Sequence, residues 1–457
     1  MSMSSPSPDK ATSTGRSPSP DETAAPDQAV TADQRSPLPR EAGPTPDGGR
    51  RFAWFHELGP DGRRAFFGAY GGYGLDSYDF YVLPLSLAAI GVYFGLDNGQ
   101  TGLLATVTLL MSAVGGALAG VLADRVGRVR ALMWTVSVYA VFTVACGFAP
   151  NFGTLLVFRA LQGVGFGGEW AVGAVLVAEY AASRHRGRTL GWIQSAWAVG
   201  WGLAVVTYTV VYNLVDDDIA WRVLFFTGAL PALLVFYVRR NVKDAPAATE
   251  RLKAAGRSHS FLDIFRGQLL RTTLLAGLLS TGVQGGYYTL ATWIPKYLSD
   301  ERGLSVTGVG GFLVVQIIGA FCGYVTGAHL ADRLGRRLTI QTFAVLSALC
   351  VLSYSQVPAD WDEISLLLGF PLGFCMSAIF SSFGSFLAEL YPTEVRGTGQ
   401  GFTYNTGRAV GAVFPTLVGF LSDSWGVGGA LGFAAAGYAL AYVSLLGLPE
   451  TRGIELR

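Results

Sequence analysis

Beyond about residue 50 the chain alternates between long apolar runs and short polar connections. We count about twelve runs of roughly 20 to 28 residues, each able to cross ~30 Å of hydrocarbon as a helix rising 1.5 Å per residue. They lie approximately at 65–90, 100–123, 130–148, 153–182, 188–214, 221–240, 270–298, 306–331, 338–356, 363–391, 398–422 and 427–447. Gly and Pro interrupt many of them, which membrane helices tolerate. The pattern predicts an all-α membrane protein with twelve transmembrane helices.

The polar connections repeat. GVLADRVGRVR (120–130) follows the second run and AHLADRLGRRL (328–338) follows the eighth, while AEYAASRHRG (178–187) answers AELYPTEVRG (388–397). Two pseudo-symmetric six-helix bundles are therefore expected, over 51–240 and 270–457. The hydrophilic stretch 241–269 between them reads as a linker, in part helical.

Composition agrees with this class: 51% of the 457 residues are hydrophobic and 14% charged, against about 25% charged in soluble domains, and mean hydropathy is +0.39. A formal net charge of +1 conceals segregation. Arg125, Arg128 and Arg130, then Arg184, Arg186 and Arg188, the stretch Arg239 to Arg271, then Arg333, Arg336, Arg337 and Arg396 occupy alternate connections. By the positive-inside rule both termini are cytoplasmic, and the plasma membrane is the expected location. Residues 1–50, rich in Ser-Pro pairs, are expected to form a disordered tail, either solvated filler or regulatory. They do not have the form of a secretory signal. Cys146, Cys322, Cys350 and Cys375 lie in apolar runs without metal-ligand spacing, and no disulfide is predicted.

The first run contains two acids, Asp76 and Asp79, in GLDSYDFYVL. Each carries a penalty of roughly 2.5 to 3.5 kcal/mol at a helix centre, so a partner or a purpose is required. Helical rise puts them roughly 17 to 21 Å from the inner face. Arg159 of the fourth run, entering from outside, falls at the same depth as Asp79, roughly 9 Å from the outer face. A buried pair is predicted, with Gln162 one turn further supplying hydrogen bonds. A carboxylate so placed can be held charged or take a proton, so Asp79 is the candidate proton carrier. Asp76 is either a second titrating group or part of the substrate cavity, both acids being able to face one cavity. A purely structural acid pair is the competing reading. Glu169, seven residues after Gln162, is either an accessory proton or gate residue or a packing contact.

GxLADRxGR with its echo, and RALQGVG (159–165), resemble the signature motifs of the major facilitator superfamily. GFGGEWAVGAVLVAE, LDSYDF, GYYTLATWIPKYL and YNTGR resemble the proton-coupled carboxylate symporters within it, the sialate and lactate family and its metabolite relatives. The resemblance covers the ordered chain and implies transport by alternating access. It also implies that Asp79 faces Arg159, as in sugar porters.

In the repeated connections Asp124, Arg125 and Arg128 would bridge helix ends, with Glu179 and Glu389 as partners. With Arg186, Asp332, Arg333, Arg336 and Arg396 they make a candidate cytoplasmic gate, unless these arginines only set orientation. Arg408, in FTYNTGRAVG, lies roughly 14 Å from the inner face. It cannot be deprotonated and needs an anion. That anion is either a substrate carboxylate, bound through two parallel hydrogen bonds, or Asp76. Gln162 is also a candidate for binding substrate, and Gln194, Trp197, Gln284, Tyr287, Tyr288, Tyr404 and Asn405 are further candidates for the cavity wall.

The expected function is proton-coupled symport of a small organic carboxylate. A sugar, polyol or organic cation carrier and a transporter-like sensor are the alternatives. Proton, carboxylate and lipid bilayer are the expected partners of a monomer, without nucleic acid, cofactor or metal. No catalytic constellation is present: LADRVGR is not a phosphate cradle.

Overall fold

The computed structural model describes residues 53–180, 186–242, 261–358, 360–392 and 395–452, within which the side chains of 53, 54, 124, 169–176, 178, 179, 186–188, 190, 217, 236 and 261 are left aside. The expected tail and most of the expected linker lie outside the described residues. All regular structure described is helical. After a short turn of helix, Ala53–Glu57, come α1 (Gly59–Phe94), α2 (Asn98–Val126), α3 (Arg128–Gly147), α4 (Phe152–Tyr180) and α5 (Arg186–Leu214). α6 comprises Asp217–Phe226 and Leu230–Asn241, joined by the 3-10 turn Thr227–Ala229. The second half holds α7 (Gln268–Asp300), α8 (Val306–Leu334), α9 (Arg336–Ser355), α10 (Asp362–Ala378 and Phe380–Glu389), α11 (Arg396–Gly411 and Val413–Leu431) and α12 (Ala434–Leu446). The first eleven apolar runs read from the sequence each fall on one of these helices as far as they are described, whereas the run 427–447 begins in α11, just past a kink at Gly426, and continues into α12. Among the described residues nine helices are long and apolar enough to cross a membrane.

The repeated LADRxGR motif has a backbone reason. α2 and α8 each end on a glycine with positive φ, Gly127 at 95° and Gly335 at 102°, a conformation costly for any residue with a β-carbon. These glycines are 208 positions apart, as are the two motifs, and each reverses the chain into the next helix. Both α2 and α8 also begin on a side-chain cap. Asp97 accepts from the Gln100 N–H at 2.6 Å and Ser305 from the Gly308 N–H at 3.2 Å, occupying donors that a helix start leaves orphaned.

The repeat recurs in the packing. A β-carbon on Gly163 of α4 would lie 2.3 Å from the Thr108 carbonyl oxygen of α2. One on Gly373 of α10 would lie 2.0 Å from that of Gln316 on α8. The two pairs are related by the offsets of the motifs, 373 − 163 = 210 and 316 − 108 = 208. Only glycine admits backbones this close, the small-residue crossing typical of helices that lack a hydrophobic drive to associate in lipid. Away from these crossings large apolar side chains such as Leu118, Trp134, Val141, Val206, Leu349 and Phe420 are exposed, as suits acyl chains.

The halves meet where α5 packs on α8, α2 on α11 and α1 on α7. Toward the start of α2 the contact is polar. Asn98 Nδ2 donates to Ser422 Oγ at 2.9 Å, Thr106 Oγ1 donates to the Ala412 carbonyl at 2.5 Å, and the Thr106 and Thr416 hydroxyls are 2.7 Å apart. The breaks in α10 and α11 fall where the two halves touch. Ala412, between the two parts of α11, receives Thr106, and the Phe380 carbonyl, beginning the second part of α10, receives Gln194 Nε2 at 3.3 Å.

Candidate functional site

Asp79 is fully buried, pointing into its own bundle between α3, α4 and α6. Thr143 Oγ1 of α3 donates to Asp79 Oδ1, and Gln162 Nε2 of α4 donates to Asp79 Oδ2. Arg159 Nη1 in turn donates to Gln162 Oε1. A guanidinium has no acceptor, so Gln162 must turn its oxygen to Arg159 and hence its amide N–H groups to Asp79 and to Thr143, the latter at 2.7 Å. The expected pair is therefore relayed: Gln162 stands between arginine and carboxylate, passing the positive end of one to the negative end of the other. This corrects its expected role, because Gln162 belongs to the charge network and not to the substrate cavity. Gly228, in the α6 turn, closes the remaining side.

Arg408 belongs to a second site, between the bundles. A cavity of about 20 Å3 is lined by Tyr73 of α1, Trp197 of α5, Tyr287 and Tyr288 of α7, Tyr324 of α8, Phe380 of α10, and Tyr404 and Arg408 of α11. That is room for about one water, so the bundles must part to admit an organic solute. Arg408 is 5% exposed. Its Nη2 donates to the Tyr404 hydroxyl at 3.3 Å, and its charge lies over the Tyr404 and Phe166 rings at 5.1 and 5.6 Å. Its Nε meets no acceptor among the described residues. Asp76, 2% exposed, is close enough for its charge to interact with that of Arg408. The two acids of α1 thus serve different sites, contrary to the expectation of one shared cavity. Three residues apart on a helix they point about 60° apart, enough to send one toward the partner bundle and the other inward.

The cavity holds together through hydrogen bonds that cross the bundles. Trp197 Nε1 donates to the Tyr287 hydroxyl at 2.6 Å, and the Tyr81 hydroxyl is 3.1 Å from the same oxygen. Of the expected wall residues, Trp197, Tyr287, Tyr288, Tyr404 and Arg408 line it. Gln194, Gln284 and Asn405 stand behind it. Gln194 reaches the Phe380 carbonyl, Gln284 Nε2 donates to the Tyr404 carbonyl at 2.9 Å, and Asn405 Nδ2 donates to Gly401 at 2.9 Å while its Oδ1 faces Gly116 of α2. Tyr73, Tyr324, Phe380 and Thr143 were not anticipated. Tyr73 sits one turn before Asp76 and shares its face, a usable signal; the others carry none, because depth does not say which way a residue on a membrane helix points.

Of the expected gate, the side chains of Asp124, Glu179, Arg186 and, on α4, Glu169 lie outside the described residues. Arg125 and Arg333 are exposed, Arg128 and Arg396 half-buried. Glu389 differs from expectation, being engaged within its own half. Arg336 Nε lies 3.4 Å from its Oε2, and Thr451 Oγ1 donates to the same oxygen at 2.5 Å. Arg336 also reaches Asp332 at 3.5 Å. The Glu450 carboxylate accepts from the backbone N–H groups of Arg336 at 2.9 Å and Arg337 at 3.4 Å, an anion at the N-terminus of α9. This cluster ties α8, α9, α10 and the segment after α12 together, binding one bundle to itself.

Two repeated helical bundles facing each other across a small polar and aromatic cavity, with charges buried at mid-depth, define a membrane carrier. Residues 69–415 and 324–454 match the Major Facilitator Superfamily, and the chain belongs to that family. It is 39% identical over 409 residues to a probable 4-methylmuconolactone transporter of Cupriavidus pinatubonensis, covering 89% of this chain and 94% of the relative. It is 30% identical over 375 residues to the cis,cis-muconate transport protein of Acinetobacter baylyi, covering 80% and 88%. In fold it is similar to the inward-open xylose transporter XylE of E. coli, with a TM-score of 0.70 at 18% identity over 86% of this chain and 97% of that one. The protein is a membrane transporter and not an enzyme.

Proposed function

We propose that this transporter carries a small organic carboxylate into the cell together with a proton, by alternating access between its two bundles. Within the spans, the described side chains that are both charged and buried at mid-depth are Asp76, Asp79, Arg159 and Arg408. Their formal charges cancel, and that cancellation carries the reading. A monocarboxylate bound to Arg408 leaves these four charges and the cargo with a net −1, and a dicarboxylate such as muconate with a net −2, which is costly in a low-dielectric site. One proton on Asp79 or Asp76 restores neutrality for a monocarboxylate and one on each for a dicarboxylate, so anion and proton enter together. The relatives named for muconate and methylmuconolactone support an unsaturated organic acid as cargo.

In this reading all twelve helices span the plasma membrane and both termini are cytoplasmic, following the arginine-rich connections. The polar seam from Asn98–Ser422 to Thr106–Thr416 then faces outward and seals that side. One polypeptide holds both bundles and the cavity, so a monomer suffices. The test is uptake by proteoliposomes under an imposed pH gradient, alkaline inside. Accumulation of cis,cis-muconate above its outside concentration, abolished by a protonophore, is expected. Uptake of xylose in preference to muconate, or accumulation that ignores the gradient, contradicts the proposal.

A further inference from the structure

We infer that Thr143 is a positioning residue that lets Asp79 gain and lose a proton without any heavy atom moving; this rests on the reading of Asp79 as the proton carrier. A threonine hydroxyl offers one hydrogen and two lone pairs. Thr143 Oγ1 has three neighbours. Asp79 Oδ1 and the Tyr139 carbonyl, the latter at 2.9 Å, compete for its hydrogen, while Gln162 Nε2 donates to it at 2.7 Å. Tyr139 lies four residues earlier on α3, where a helical threonine hydroxyl has an acceptor within reach.

With Asp79 ionised, Thr143 gives its hydrogen to Oδ1 and Gln162 gives one to Oδ2. When a proton arrives on Oδ1, the new acid O–H donates to a Thr143 lone pair, the Thr143 hydrogen turns to the Tyr139 carbonyl, and Gln162 keeps both of its bonds. One proton is taken up and one O–H rotates. The Asp79 carboxyl, the Thr143 hydroxyl and the Gln162 amide keep their hydrogen-bond partners in both states. No other residue of the network can do this, since Arg159 only donates and Gln162 is fixed in orientation by Arg159. The titratable and charged groups near Asp79 are Arg159 from α4, Cys146 from α3 and its neighbour Tyr78 on α1, while α6 presents Gly228.

Valine at 143 keeps the shape and removes the hydroxyl. The ionised carboxylate then loses a charge-assisted bond, whereas the acid loses a neutral one, which is weaker. The protonated form gains by comparison. The test is an infrared pH titration of the purified full-length protein, following the protonated-carboxyl band that is missing from D79N. We expect T143S to titrate as the wild type does and T143V to titrate about one pH unit higher, the shift that a difference of one moderate hydrogen bond produces. T143V titrating with the wild type, or T143S shifting as far as T143V, overturns the inference about Thr143 alone. A D79N protein that removes no titrating band, or that still accumulates cis,cis-muconate against its gradient, overturns the reading of Asp79 and this inference with it.

Discussion

The indole N–H of Trp197 in the first bundle donates to the hydroxyl of Tyr287 in the second at 2.6 Å. The Tyr81 hydroxyl approaches the same oxygen, so this one phenol is held by two residues of the opposite half, on the wall of the cavity. In the proposed cycle, opening the outward side breaks these bonds.

Tyr287→Phe should therefore favour the outward-open state. Two bonds of about 0.5–1.5 kcal/mol each are removed, shifting the balance by roughly 5- to 160-fold. A cysteine placed at Thr106, in a background without the four native cysteines, reports this through an impermeant maleimide. Faster labelling from outside is expected in Tyr287→Phe, and an unchanged rate would show that the bond does not hold the gate.

Asp79→Asn should abolish accumulation against a gradient while sparing exchange of labelled for unlabelled cargo. Asparagine keeps the shape and offers Gln162 a carbonyl oxygen, so folding is expected to survive. Exchange needs the loaded carrier to cycle but needs no net proton movement. Loss of both activities in a well-folded variant would assign Asp79 a structural role instead.

Arg408→Ala should weaken cargo binding by about 100-fold, as expected for losing a charge-assisted bidentate contact of roughly 3 kcal/mol. Arg408→Lys should recover only part of this, since an ammonium lacks the planar fork. Quenching of Trp197 fluorescence by cis,cis-muconate is a convenient readout, and equal affinity in wild type and Arg408→Ala would remove the arginine from the binding site.

Within the second bundle, Arg336→Ala should destabilise the protein more than Asp332→Ala. The Glu389 side chain is 7% exposed and that of Asp332 49%. Removing Arg336 leaves a largely buried carboxylate with the Thr451 hydroxyl but without its counter-charge, at about 1–3 kcal/mol, whereas an exposed pair contributes about 0–1 kcal/mol. Thermal unfolding in detergent should rank the two variants in that order.

Much of the fold was legible, for a physical reason. Crossing hydrocarbon fixes the length and polarity of each helix, and a helix rising 1.5 Å per residue converts sequence position into depth. That is why Asp79 and Arg159 were placed at one level and Arg408 near the middle. Rotation about the helix axis is a different quantity, decided by which neighbours pack where. It separated Asp76 from Asp79, put Gln162 between Arg159 and Asp79 instead of in the cavity, and brought Tyr324 and Phe380 to the cavity wall. Thr143 gave no sign at all, one small hydroxyl in an apolar helix resembling any other. Glu389 was misassigned across the bundles because its true partners, Arg336 and Thr451, come from connections whose path the sequence pattern does not constrain.

The most direct measurement is of the proton itself. Proteoliposomes enclosing a pH-sensitive dye, with no gradient imposed, should acidify inside when cis,cis-muconate is added outside. Arg408→Ala, Asp79→Asn and protein-free liposomes should stay silent. Entry of labelled muconate through the wild-type protein with no accompanying acidification would contradict the coupling of anion and proton on which the account depends.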